Sequence, residues 1–156
     1  MIRSLLPKTP LYIQIWKDRL RVRNPRSLKA FDDKPIVGLD ESKGKNVISA
    51  IGATAESTPC RKVYPFGHPR LIIHEFLVAE RLMRYAFFSV TSGWFFRLSI
   101  TAVVHVMEPP EDGPSDIEVR ALREMCVVAG AREVHIWSGR VLTDAELLSG
   151  VFRGAA

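Results

Sequence analysis

The chain has 156 residues, 47% hydrophobic and 25% charged, a balance that fits one globular domain with a real core and excludes a disordered chain. Its net charge of +5 and pI near 9.5 favour acidic partners in general, whether lipid, nucleic acid or protein. The longest apolar runs, residues 87–90 and 99–107, fall short of the roughly 20 residues that cross a bilayer, residues 1–6 lack the apolar centre and cleavage site of a signal peptide, and Cys60 and Cys126 fit a reducing cytoplasm.

Residues 11–16 alternate, with Leu11, Ile13 and Ile15 on one face and Tyr12, Gln14 and Trp16 on the other, and Lys17 and Asp18 make a tight turn. Residues 19–23 alternate again, so a second strand pairs with the first and turns Arg19, Arg21 and Arg23 to water while Leu20 and Val22 face inward. Residues 24–46 hold Pro25, Pro35, Gly38 and Gly44 among many charges and read as loops around Ile36 and Val37. Residues 47–52 read as a third strand. Residues 57–70 form a proline-punctuated connection, and an amphipathic helix follows over about residues 71–88. Its apolar side carries Phe76, Ala79, Met83, Ala86 and Phe87, with Glu80 and Arg84 paired on the solvent side. Residues 99–107 alternate with β-branched side chains and predict a central strand.

Ser115 and Glu118 then have the spacing of a capping box. Ile117, Ala121, Leu122, Met125, Val128 and Ala129 recur along one helical face, Gly130 supplies the stop, and a strand follows to Trp137. Thr143, with Glu146 three residues on, caps a short last helix ending near Phe152. This order predicts a single α/β domain over residues 1–156, built on a five-stranded mixed sheet: a three-strand meander plus two parallel crossover strands, flanked by helices.

Residues 118–136 carry the most specific signal. An Arg- and Glu-rich helix running into Gly130-Ala131-Arg132-Glu133-Val134 and a strand resembles the corresponding segment of MreB, the bacterial actin-like, rod-shape-determining family. The likeness continues weakly through residues 46–52, through His68-Pro69-Arg70 and along the helix after them. It implies an actin-like, ribonuclease-H-like subdomain, the first of the family's two nucleotide-cradling halves. In that family the first hairpin carries an Asp-x-Gly-Thr turn, whose backbone N–H groups approach the phosphates. Gln14, Ile15, Trp16 and Lys17 stand at those positions, so the carboxylate is lost and an indole replaces the residue that made room for phosphate. Where the family places Glu-Glu-Pro, with its water-positioning acid, this chain has Ser138, Gly139 and Arg140. The second phosphate loop belongs to the half without a counterpart. The resemblance therefore implies a protein that is not an ATPase, with no catalytic residues and no cofactor, in which Trp16 and Gln14 fill the nucleotide space.

Other chemistry is poorly represented. His105 and His135 lie inside apolar strands, as structural histidines do, and Cys60, His68 and His74 match no zinc spacing. Asp116, Glu118 and Glu124 read as a solvated helix surface. No Gly-x-Ser-x-Gly or glycine-rich phosphate loop occurs. Two surfaces are candidates for binding. Trp94, Phe95, Phe96 and Arg97 occupy the loop that MreB, by resemblance, uses with its N-terminus to touch membrane; the alternative that these aromatics begin the buried strand stays open. Arg19, Arg21, Arg23 and Arg26 form a basic ladder, of the kind that keeps a sheet edge soluble or meets an acidic partner. The expectation is a catalytically inactive scaffold in bacterial cell-shape or cytoskeletal organisation. Its partner is a protein, with MreB-type filament subunits the candidate, and its place is the cytoplasm at the inner membrane face. The chain itself is a monomer or small homo-oligomer. The runner-up is a basic nucleic-acid-binding or regulatory module without ATPase activity, ranked second because no nucleic-acid motif is visible.

Overall fold

A computed structural model describes residues 8–44, 47–91 and 99–154. Its large sheet has five strands in the order β3-β2-β1-β7-β8: β1 (Lys8–Ile15), β2 (Leu20–Arg23), β3 (Ala30–Asp33), β7 (Ser99–Val106) and β8 (Glu133–Trp137). The meander pairs antiparallel, with Ile13 opposite Val22 and Val22 opposite Phe31. β1 and β7 run parallel with Ile13 opposite Val104, and β7 and β8 run parallel with Val103 opposite His135. The predicted mixed sheet is therefore present.

Its third meander strand is not the one expected. Residues 30–33 take that place. Residues 48–51 instead form β5 (Ile48–Ile51) of a separate antiparallel sheet, between which and β6 (Arg61–Val63) lies β4 (Val37–Leu39). The segments read as loops thus contain β3, β4 and β6. Gly52, at φ +78°, joins the small sheet to the large one through Asp33: a Cβ there would lie 1.9 Å from Asp33 Oδ2. Asp33 Oδ1 accepts the N–H of its neighbour Lys34 (2.7 Å) and that of Ala53 (2.9 Å), the residue just before the short helix α1 (Thr54–Ser57).

Alternation in β1 divides the molecule into two cores. Leu11, Ile13 and Ile15 point to the side covered by α2 (Phe76–Thr91) and α3 (Asp116–Ala129), where they meet Leu82, Met83, Phe87, Leu122 and Met125, all buried. Side chains of this size contribute about 1.5–3 kcal/mol each on full burial. Tyr12 points the other way and packs with Val103, Leu142, Leu147 and Phe152 beneath α4 (Asp144–Ser149). Covering both faces is what a sheet with a parallel centre requires.

The local signals around α3 hold. Ser115 Oγ accepts the Glu118 N–H at 3.3 Å, and Glu118 Oε2 accepts the Ser115 N–H at 2.9 Å, completing the capping box. Gly130, at φ +126°, ends the helix, with Ala131 N–H donating to Cys126 O. Thr143 caps α4, which stops at Ser149 before a 3-10 turn carries the chain through Phe152. The buried face of α3 is rotated from the one expected. It comprises Leu122, Met125, Cys126 and Ala129, while Ile117 is 81% exposed and Val128 39% exposed. Burial pushes the Cys126 thiol pKa up to about 12.

Helix α2 begins at Phe76, five residues later than the expected start, after a segment whose amides bond to partners outside it. Ile72 N–H donates to Glu118 Oε1 (3.2 Å) and His74 N–H to Pro65 O (2.8 Å). Burial raises the Glu118 pKa, but the Ser115 and Ile72 amides and the Ser115 hydroxyl together outweigh it and hold the carboxyl below its ordinary range. Arg84 is not engaged with Glu80 as expected; its guanidinium donates to Val128 O at 3.2 Å. Among the described residues no helix is long and apolar enough to cross a membrane.

Candidate functional site

Strands β1, β7 and β8 are parallel, so the segments that leave their carboxyl ends lie on one edge of the sheet: residues 16–18, 107–110 and 138–142. In sheets with a parallel centre this is the edge at which ligands gather. A cleft of about 360 Å³ opens there beside the first turn. Its floor is apolar, made by Ile15, Phe66, Ile72 and Val106, and its rim carries Trp16, Lys17, His68, Arg70 and Glu108.

The sequence reading of this space needs correction. Gln14 and Trp16 were expected to fill it. Gln14 is 4% exposed and lies in the sheet, with Nε2 3.7 Å from Met107 Sδ, and it does not line the cleft. Trp16 forms one wall, its indole held from behind by the Arg19 guanidinium 4.9 Å from the ring centre. The tryptophan leaves the space open because the hairpin hydrogen bond from Trp16 N–H to Arg19 O fixes its backbone in the turn.

What occupies the turn is chemical rather than steric. The Lys17 N–H, at the position where the resemblance places a phosphate-facing amide, donates to Glu108 Oε1 at 2.8 Å. A carboxylate of the chain itself thus sits where an incoming anion would need the donor. Lys17 Nζ lies 3.4 Å from Pro69 O, tying the turn to the opposite rim. Glu108 left no signal in the sequence, because it stands in a proline-rich loop and its partner is a backbone group 91 positions away.

Ser138, Gly139 and Arg140 do not join this cleft. Trp137 packs on the α4 side of the sheet and its Nε1–H donates to Arg140 O at 2.9 Å, while Arg140 pairs with Glu146 at 2.7 Å. Gly139, at φ +127°, makes the turn that allows this. Its backbone also bonds His105. His105 is 5% exposed, with Nδ1 2.6 Å from Tyr12 Oη, and Tyr12 Oη accepts the Leu142 N–H at 3.3 Å. The roles follow from donor counting: the tyrosine hydroxyl gives its proton to Nδ1, and Nε2–H is left for Gly139 O. Burial pushes the His105 pKa below 6.5, and the Gly139 bond opposes that more weakly. Burial likewise raises the Tyr12 pKa, with the Leu142 bond pulling it back.

The remaining candidates divide in the same way. His135 is half-buried, 2.9 Å from Glu133 Oε1 and edge-on to Phe152. His68 and His74 stack with ring centres 5.0 Å apart, but the Cys60 thiol is directed to Thr58 O and Ala55 O. Among the described residues no group of three or more metal-ligating side chains converges. The arginine ladder is largely engaged within the chain. Arg19 forks onto Asp32 at 2.7 and 2.6 Å, Arg21 lies 3.8 Å from the same carboxylate, Arg23 reaches Asp144 at 2.5 Å and Arg26 donates to Lys8 O. The Arg19 bond holds the Asp32 carboxyl below its ordinary range. Trp94, Phe95, Phe96 and Arg97 lie outside the described residues.

No protein-family model and no curated protein matches the sequence. Solved structures do match the fold. MreB5 of Spiroplasma citri bound to ADP superposes with a TM-score of 0.66 at 14% identity, covering 84% of this chain and 38% of that one. The same protein bound to AMPPNP gives 0.62 at 15% identity, over 83% of this chain and 38% of the other. MamK in a double helical filament gives 0.65 at 20% identity, over 83% and 40%. The chain therefore spans about two fifths of the length of these proteins, and its fold is similar to part of an actin-like domain.

Proposed function

We propose that this chain is a catalytically silent, MreB-like domain that works by binding, as a scaffold in bacterial cell-shape or cytoskeletal organisation on the cytoplasmic side of the membrane. The observation that carries the reading is the hydrogen bond from Lys17 N–H to Glu108: the donor of the first turn is held by a carboxylate of the chain itself. Three features add support. No carboxylate stands among Gln14, Ile15, Trp16 and Lys17 to organise a metal ion. Ser138, Gly139 and Arg140 do not line the cleft, and Arg140 is engaged with Trp137 and Glu146 instead. Phosphoryl transfer depends almost wholly on positioning and charge stabilisation, so losing these parts leaves little rate enhancement. The fold neighbours include a protein seen as a filament, which supports self-association or docking to filament subunits as the mode of action.

Isothermal titration with Mg-ATP tests the silent site: no heat of binding at millimolar nucleotide is expected, and micromolar affinity overturns the reading. Co-sedimentation with assembled MreB tests the scaffold role, with the chain expected in the filament pellet and not in its own. For the membrane contact, anionic liposomes should pellet the parent chain but release Trp94→Ala/Phe95→Ala.

A further inference from the structure

The cleft beside the first turn carries charge of both signs above its apolar floor. The titratable side chains that line it are Lys17, His68, Arg70 and Glu108. Among the described residues, Lys17, Arg70 and Glu108 form no ion pair. Glu108 Oε1 takes the Lys17 amide and the Lys17 ammonium reaches the neutral Pro69 carbonyl at 3.4 Å, so Glu108 Oε2 and the Arg70 guanidinium keep their bonding capacity. His68 adds a donor on the Arg70 side. Its Nδ1 accepts the Arg70 and Leu71 N–H groups, each at 3.1 Å, which leaves the proton of the neutral ring on Nε2. The same two bonds fix the backbone that presents Arg70.

A ligand of one sign is opposed by part of this set. An anion enters beside Glu108 and a cation beside Lys17 and Arg70, whereas a molecule with an ammonium and a carboxylate on one carbon finds a partner for each. Below the rim, Ile15, Phe66, Ile72 and Val106 offer nothing to a polar side chain, and the Trp16 indole, held by Arg19 behind it, gives a flat wall for an apolar one. At about 360 Å³ the cleft stands at the small end of the roughly 300–1,000 Å³ of ligand sites, the scale of a single amino acid. From this geometry we infer that the cleft binds a free α-amino acid with an apolar side chain. Its ammonium meets Glu108 Oε2, its carboxylate meets Arg70 and the His68 Nε2–H, and its side chain packs between Trp16 and Phe66. The inference goes beyond the scaffold reading and fails separately from it, since filling this cleft requires no filament and docking to a filament requires no ligand here.

Titration of the isotopically labelled full chain with L-phenylalanine, followed by NMR, is the test. Saturable shifts are expected at the Trp16 indole N–H and at the Lys17 and Arg70 amides. Phenylpropionate, which lacks the ammonium, and phenethylamine, which lacks the carboxylate, should each bind about tenfold more weakly, the loss of one charge-assisted hydrogen bond at an open rim. Glu108→Gln should weaken L-phenylalanine about tenfold and strengthen phenylpropionate, a reversal that a purely structural role for Glu108 does not produce. Arg70→Gln should weaken L-phenylalanine and phenylpropionate without weakening phenethylamine, while Arg120→Gln, on exposed α3 surface, should leave all three within about twofold. Should a variant fold poorly, the ligand series on the parent chain decides alone: affinity for either analogue equal to that for L-phenylalanine overturns the site. So does a titration with no saturable shifts, one whose shifts centre away from Trp16, or a Glu108→Gln variant that loses all three ligands equally.

Discussion

Replacing Tyr12 by Phe removes one buried oxygen and leaves two groups without their partner: the Leu142 N–H, 3.3 Å from that oxygen, and His105 Nδ1, 2.6 Å from it. The ring keeps its place among Val103, Leu142 and Leu147, so no packing is lost and the effect isolates hydrogen bonding. Each orphaned buried group costs about 1–3 kcal/mol, which gives roughly 2–4 kcal/mol for the pair after relaxation. At roughly 2–4 °C per kcal/mol for a chain of this size, a loss of about 3 kcal/mol lowers the melting temperature by roughly 6–12 °C. Calorimetry measures that shift, and amide exchange at Leu142 locates it, since protection there should fall more than at buried strand amides such as Val104. Tyr64→Phe, at a half-exposed ring, should be neutral. A Tyr12→Phe melting point within about 1 °C of the parent, with Leu142 still protected, would refute the claim that this hydroxyl fastens residues 138–142 to the sheet.

Three further outcomes follow from the same physics. His105 has a depressed pKa in the folded chain, so the unfolded chain binds its proton first; stability should fall as pH drops from about 6.5 towards the folded value and then level off, and His105→Gln should flatten that slope in urea titrations. Ser115→Ala removes the acceptor for the Glu118 amide and should cost about 1 kcal/mol, seen as a lower urea midpoint with an unchanged m-value. With its thiol pKa raised to about 12 and no exposure, Cys126 should be silent to a thiol reagent in the native state while the half-buried Cys60 reacts, so labelling should rise from one thiol to two on unfolding.

Features whose physics is local were legible in the sequence. The Ser115 capping box, the Gly130 stop and the Thr143 cap each depend on residues within four positions, and each stands where its spacing placed it. Features set by distant partners were not. Strand β3 has one inward apolar residue, Phe31, and its outward Asp32 is matched to Arg21 on β2 and to Arg19 just before it, so it presents a cross-strand charge pattern with no hydrophobic alternation to read. Residues 71–75 carry helical periodicity, yet Glu118 and the Pro65 carbonyl claim their amides. At the carboxyl edge, the degenerate turn positions were visible, but their consequence was misjudged: losing a glycine predicted a filled pocket, whereas Trp16 swings against Arg19 to become a wall.

That difference changes what makes the first turn refractory to anions. A filled pocket would resist every ligand alike, by overlap. An open cleft whose turn amide is held by Glu108 resists selectively, because an anion must displace an intramolecular carboxylate already in place at 2.8 Å and must enter beside its charge. A neutral group meets no such opposition at the turn, whereas a cation still has Lys17 and Arg70 on the rim to pass. Glu108→Gln separates the two cases. It removes the charge while keeping the side-chain shape and a carbonyl acceptor for Lys17 N–H, so a steric block predicts unchanged weak affinity for inorganic phosphate. Control by the carboxylate predicts a gain, which depends on ionic strength because repulsion between like charges at a solvent-open rim is screened over about 10 Å at 0.1 M salt.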